Sequence, residues 1–120
     1  MSPQKLHTLC LSLPAAEASQ PFGPGTTVYK VCNKMFALSN LEGDPLQVNL
    51  KCEPHLAEAL RQDFEAVQPG YHMNKRHWNT VTVGLDLPDV QIIAQIEESY
   101  ALVVKGLKKA ERDTLKKNSA

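Results

Sequence analysis

The residues best equipped for chemistry gather in one short run. Tyr71, His72, Asn74, Lys75, Arg76, His77 and Trp78 all fall within residues 71–80, so two adjacent cations sit beside an aromatic side chain. A Lys-Arg pair on a loop suits phosphate contact, and a guanidinium such as that of Arg76 also matches the two acceptors of a guanine edge. The other reading is a solvated loop charge. Trp78 fits either a base-stacking surface or a packing anchor at the rim of a core, and anchoring is the commoner use. Tyr71 faces the same choice, and packing is expected of it. His72 and His77 are five residues apart, a spacing that shares neither a helix face nor a strand face. Fixing the loop by hydrogen bonds suits them better than donating to phosphate. Asn74 could reach an adenine edge, but turn hydrogen bonds are the usual task of a loop asparagine.

Charge extends this picture to a second segment. Thirteen Lys and Arg balance thirteen Asp and Glu, for a formal net charge of zero. The balance is uneven along the chain. Residues 18–41 contain Lys30 and Lys34 and no acid, and residues 66–85 contain Lys75 and Arg76 and no acid. These two stretches carry +4 and the rest of the chain carries −4. If the fold brings the two stretches together, they form a basic face suited to phosphates. Neutrality overall excludes a strongly basic nucleic-acid coat protein and a disordered acidic tail.

Other chemistry finds less support. Cys10, Cys32 and Cys52 are odd in number and widely spaced, which implies no disulfide framework and three reduced thiols in a cytoplasmic setting. Cys10 lies on an apolar helical stripe and reads as a small core residue. Lys30 and Lys34 flank Cys32 and are expected to lower its pKa, but no Cys/His/acid spacing supports a nucleophile. Glu97-Glu98 and the pair Glu42 and Asp44 read as surface charges. His72, His77 and one cysteine do not have zinc-type spacing, so no metal is expected. No Walker loop, GxGxxG or GxSxG occurs. The basic tail (Lys105, Lys108, Lys109, Arg112, Lys116 and Lys117) reads as a helix ending that favours the dipole.

These residues need a scaffold, and the chain is sized for one. At 120 residues with 42% hydrophobic and 22% charged residues, it fits a single globular domain spanning residues 1–120. No apolar run approaches a membrane span, and the first thirteen residues do not read as a secretory signal. Ser2-Pro3 opens a helix whose buried stripe is Leu6, Leu9, Cys10 and Leu13, stopped by Pro14. Residues 15–26 read as mostly irregular, although residues 18–22 could extend. Residues 27–31 and 34–39 read as strands joined through Cys32-Asn33, a tight hairpin. Residues 46–51 alternate Leu46, Val48 and Leu50 against Gln47, Asn49 and Lys51, a strand with one buried face. Glu53-Pro54 starts a second helix lined by Leu56, Leu60, Phe64 and Val67. Residues 71–73 are expected to be extended, and residues 80–84 form a further strand. The longest helix begins at Pro88-Asp89 and ends near Gly106, and a short charged helix closes the chain. The order predicts a two-layer α+β domain, an antiparallel sheet with helices on one face.

The run Pro69-Gly70-Tyr71-His72-Met73-Asn74-Lys75-Arg76-His77-Trp78-Asn79-Thr80 resembles the signature of the MmcQ/YjbR family. Pro21-Phe22-Gly23-Pro24, Lys30-Val31, Lys34-Met35-Phe36-Ala37-Leu38, Leu50-Lys51-Cys52, Leu87-Pro88-Asp89 and Ser99-Tyr100 match as well, in order, over roughly residues 6–115. The resemblance implies a small bacterial cytoplasmic domain of α-β(3)-α-β(2)-α order plus a short C-terminal helix, YjbR-like and similar to the frataxin-like (CyaY-like) shape. It implies DNA binding by a double wing, two β-hairpins or loops that contact the duplex, and neither an enzymatic activity nor a cofactor. Many members carry glycine at the hairpin turn where this chain has Cys32-Asn33. A frataxin-like shape raises the question of iron, but the first helix has no acid before Glu17 to build a carboxylate-rich edge. The expected site is therefore Lys30, Lys34, His72, Asn74, Lys75, Arg76, His77 and Trp78, binding double-stranded DNA weakly and in a salt-sensitive way. The alternative is a non-enzymatic adaptor that holds a protein or small molecule through the polar-aromatic loop of residues 70–80.

Overall fold

Caps and punctuation set the helices. The computed structural model describes residues 1–71 and 73–118, with side chains up to residue 116. In α1 (Pro3–Leu11) the Ser2 hydroxyl accepts the Lys5 N–H at 3.1 Å, and Pro3 fills a first-turn position that needs no donor. In α2 (Pro54–Asp63) the Glu53 carboxylate does the same for the Leu56 N–H at 3.1 Å. The long α3 (Asp89–Lys105) is followed by α4 (Lys109–Asn118). Among the described residues no helix is long and apolar enough to cross a membrane.

The strands are β1 (Glu17–Ser19), β2 (Thr27–Val31), β3 (Lys34–Asn40), β4 (Gln47–Lys51), β5 (Val67–Pro69) and β6 (Trp78–Thr82). They form one antiparallel sheet in the order β1-β2-β3-β4-β6-β5. Side chains alternate between faces, and residues paired across strands share a face. Tyr29, Ala37 and Leu50 line up across β2, β3 and β4, and Val48, Val81 and Val67 line up across β4, β6 and β5. All six belong to the core, together with Leu6 and Cys10 of α1, Ile92, Ile96 and Val103 of α3, and Leu115 of α4. Leu60 of α2 packs against the same cluster. All four helices therefore cover one face of the sheet, which is the two-layer α+β arrangement that the hydrophobic pattern predicts.

Four details differ from the sequence reading. Glu17–Ser19 is a strand within a segment expected to be mostly irregular; all three residues are exposed, so no alternation marked it. Helix α2 stops at Asp63 and does not run on to Val67. The Asp86 carboxylate accepts the N–H groups of both Glu65 and Ala66 at 2.8 Å and turns the chain into β5. The extended segment is consequently 67–69 and not 71–73. Strand β6 begins at Trp78, because Lys51 and Trp78 are already paired, so it precedes the expected 80–84.

One irregularity matters for the site. The β2–β3 register slips after Tyr29, so that Tyr29 pairs with Ala37 but Lys30 pairs with Met35. Phe36 is the extra residue, and its ring meets Tyr100 of α3 edge-on at 5.3 Å between centroids. Ser99, fully buried on α3, bridges the gap that this bulge opens in the sheet. Its hydroxyl donates to the Phe36 carbonyl at 2.5 Å and accepts the Lys51 N–H at 2.8 Å. Two backbone groups that lost their ladder partners are thereby satisfied.

Candidate functional site

The β2–β3 hairpin is built on Cys32 and Asn33, at φ 48° and 64°. Left-handed backbone at both central positions is what a two-residue type I′ turn requires. Asparagine adopts it readily, whereas cysteine does so at a cost of about 1–2 kcal/mol. The Cys32 thiol is half-buried, and its pKa is raised, first by burial and then by the carboxylates of Glu111 and Glu17. This corrects the expectation that Lys30 and Lys34 would lower it. Burial also pushes the Cys10 thiol up to about 12 and the Cys52 thiol up to about 11. All three cysteines are free thiols.

Antiparallel pairing puts the hairpin tip, the end of β4 and the start of β6 at the same end of the sheet. The loop of residues 70–77 leaves from that end. Lys30, Lys34, Lys75 and Arg76 thus share one end of the molecule, although not one face. Lys30 pairs with Met35 on the side away from the helices, and Lys34 pairs with buried Val31 on the helix side. Lys30 is half-buried and Lys34, Lys75 and Arg76 are exposed. Among the described residues, none of the four forms an ion pair with a carboxylate.

The loop is held from within and from below. The Asn74 side-chain oxygen accepts the Arg76 N–H at 3.0 Å, and the Asn74 carbonyl accepts the N–H groups of His77 at 3.1 Å and Trp78 at 3.0 Å. The His77 carbonyl accepts the Cys52 N–H at 2.8 Å, and the Lys75 ammonium reaches the Gly70 carbonyl at 3.5 Å. Arg61 of α2 ties these pieces together. Its guanidinium donates to the Asn79 amide oxygen at 2.6 Å, to the Trp78 carbonyl at 3.1 Å and to the Lys75 carbonyl. Gly70 lies against Trp78, where an added Cβ would stand 2.8 Å from the Trp78 Cβ, so no other residue fits without moving the backbone. His72 lies outside the described residues. Tyr71 is 72% exposed and not packed as expected, while its N–H donates to the Thr80 hydroxyl at 3.1 Å.

Trp78 is half-buried and pairs with Lys51, which places both on the face opposite the helices. That face also carries Lys30, Met35, Leu38, Gln47, Asn49, Thr80 and Thr82 by the same register. Two contributors escaped the reading of motifs. Lys51 belongs to the polar half of an alternation plainly visible in residues 46–51. Arg61 had no signal, because its partners are 14 to 18 residues away. No group of three or more His, Cys, Asp or Glu able to hold a metal occurs among the described residues. A cavity of about 360 Å³ lined by His7, Ala18, Ser19, Gln20, Thr27 and Leu41 lies beside β1, away from Trp78 and Tyr71.

The chain matches known proteins over nearly its whole length. The family model described as YjbR matches residues 11–102. The protein YjbR of Escherichia coli strain K12 is 38% identical over 116 residues, covering 96% of this chain and 98% of that protein. YbdF of Escherichia coli O157:H7 is 39% identical over 117 residues, covering 93% and 95%. The crystal structure of the Deinococcus radiodurans protein DR2400, a DUF419 domain, superposes with a TM-score of 0.89 at 38% identity, covering 95% of this chain and 87% of that one. A Pseudomonas syringae protein superposes with a TM-score of 0.74 at 28% identity, covering 85% and 98%. With sequence and architecture in agreement, the chain belongs to the YjbR family.

Proposed function

We propose that this protein binds the phosphate backbone of DNA through the hairpin around residues 30–35 and the loop of residues 70–77. The observation that carries the reading is the placement of Lys30, Lys34, Lys75 and Arg76 at one end of the sheet, none of them neutralised by a carboxylate among the described residues. Backbone contacts of this kind give affinity with little choice of sequence. They need no cofactor and no reaction. Zero net charge supplies no long-range attraction beyond this end of the molecule, so binding is weak, about micromolar or poorer.

The test is a salt titration of binding to a short duplex. Four phosphate contacts correspond to a log–log slope of about −3.6, and losing two of them in Lys75→Ala/Arg76→Ala brings it to about −1.8. No binding at low salt, or the same slope in the double variant, would remove the proposal.

A further inference from the structure

The helices pack on one side of the sheet, and the other side has an unusual composition. Across β2, β3, β4, β6 and β5 the positions on that side are Val28 and Lys30, then Met35, Leu38 and Asn40, then Gln47, Asn49 and Lys51, then Trp78, Thr80 and Thr82, and finally Gln68; Val28, Thr80 and Thr82 are buried and the others half-buried or exposed. None is a carboxylate. Two are lysines, at the end where Lys75 and Arg76 also lie. On the edge strand β1, Glu17 lies opposite Lys30 in register but is not ion-paired with it.

The middle of this face is tied to itself. The Gln47 amide donates to the Thr82 hydroxyl at 3.0 Å, the Thr80 hydroxyl donates to the Asn49 amide oxygen at 2.5 Å, and the Asn49 amide donates to the Leu38 carbonyl at 3.3 Å. Such a floor is rigid, uncharged and largely spent on its own hydrogen bonds. It offers shape and little base-specific readout. Trp78 stands at the cationic end of the floor, directly across from Lys51. Five strands span about 19 Å, a width at which sheet faces accommodate about two or three unstacked bases.

We infer that this helix-free face takes the bases of single-stranded DNA, with Trp78 as the stacking surface and Lys30 and Lys51 on the flanking phosphates. An aromatic ring beside cations on a neutral polar floor is the arrangement that binds unpaired strands without regard to sequence. A duplex keeps its bases stacked inside and would present only phosphates to the hairpin and loop. The inference rests on the DNA reading above and specifies the strand state that the adjoining face accepts.

Trp78 is the only tryptophan in the chain, so its fluorescence reports on this face alone. A thymidine oligonucleotide of about ten residues and a duplex of equal length are titrated into the protein at low salt. The expected result is quenching by the single strand and none by the duplex. Trp78→Leu should weaken single-strand binding about tenfold or more, measured by anisotropy of a labelled strand. Lys51→Gln, an exchange of similar length at a half-buried side chain, keeps the test decisive if Trp78→Leu does not fold. It should lower the single-strand salt slope by about 0.7 and leave the duplex slope unchanged. Single-strand binding with no change in emission and no effect of Lys51→Gln would overturn the inference and leave the phosphate reading standing. Quenching by the single strand without any duplex binding would do the reverse, and no binding of either labelled ligand by anisotropy would overturn both.

Discussion

At the scale of single residues, the turn at Cys32 holds a cysteine in a backbone conformation that glycine and asparagine favour. A side chain at φ 48° is tolerated when it is small and unbranched at Cβ, and becomes strained when it is branched. Cys32→Val should therefore lower stability by at least about 1 kcal/mol, read as a shift in the urea midpoint, whereas Cys32→Asn should be neutral or stabilising. Asp86 offers a second residue-level test. Two backbone N–H groups, from Ala66 first and Glu65 second, hold its carboxyl below the usual aspartate value of 3.8. A folded pKa lower than the unfolded one means that the contribution is complete at neutral pH and fades as pH falls below that value. Asp86→Asn should accordingly flatten the acid limb of a melting-temperature profile below about pH 4, while lowering the plateau above it. Equal acid limbs in the two proteins would contradict this. Ser99 belongs to the same scale. A small hydroxyl on a helix face closes a gap in a sheet that no strand residue can reach.

At the scale of elements, the described residues of the 70–77 loop are held by their supports. Helix α2 supplies Arg61, strand β4 leads to the Cys52 N–H, and Gly70 permits close approach to Trp78. Arg61→Met keeps the aliphatic stem and removes every donor. It strands the Asn79 amide oxygen, on a residue only 2% exposed, and should cost about 1–3 kcal/mol. The distinctive readout is faster hydrogen exchange at the amides of His77 and Trp78, with the α1 amides unchanged. Arg61→Lys should not restore protection, because an ammonium cannot reach three acceptors with the fixed fork of a guanidinium.

Legibility in the sequence followed the kind of interaction involved. Strand β4 could be read because burial on one face writes itself as alternation, and α1 and α3 because their apolar spacing and caps are local. Strand β1 could not, since three exposed residues held by backbone bonds leave no side-chain trace. The end of α2 was misplaced because Asp86, some twenty residues downstream, competes for the N–H groups that would have continued the helix. The site divides in the same way. Its cations, its aromatic residue and the Asn74 turn are visible as residue types, but the side of the hairpin that each lysine takes depends on the pairing at the two-residue turn, Val31 with Lys34 and Lys30 with Met35.

At the scale of the whole molecule, charge cancels in total and separates in space. On the proposed phosphate contacts, a protein of this kind is steered only at close range, and its affinity for a duplex should fall about a hundredfold between 50 and 200 mM salt. The sheet also raises a colloidal question, because an open edge invites a neighbour to lengthen it. Both border strands, β1 and β5, are only three residues long, and β5 closes on Pro69, which has no N–H to give. A second molecule therefore finds almost no rail on which to dock edge to edge. The helix-free side can therefore face a ligand without its edges seeding fibrils.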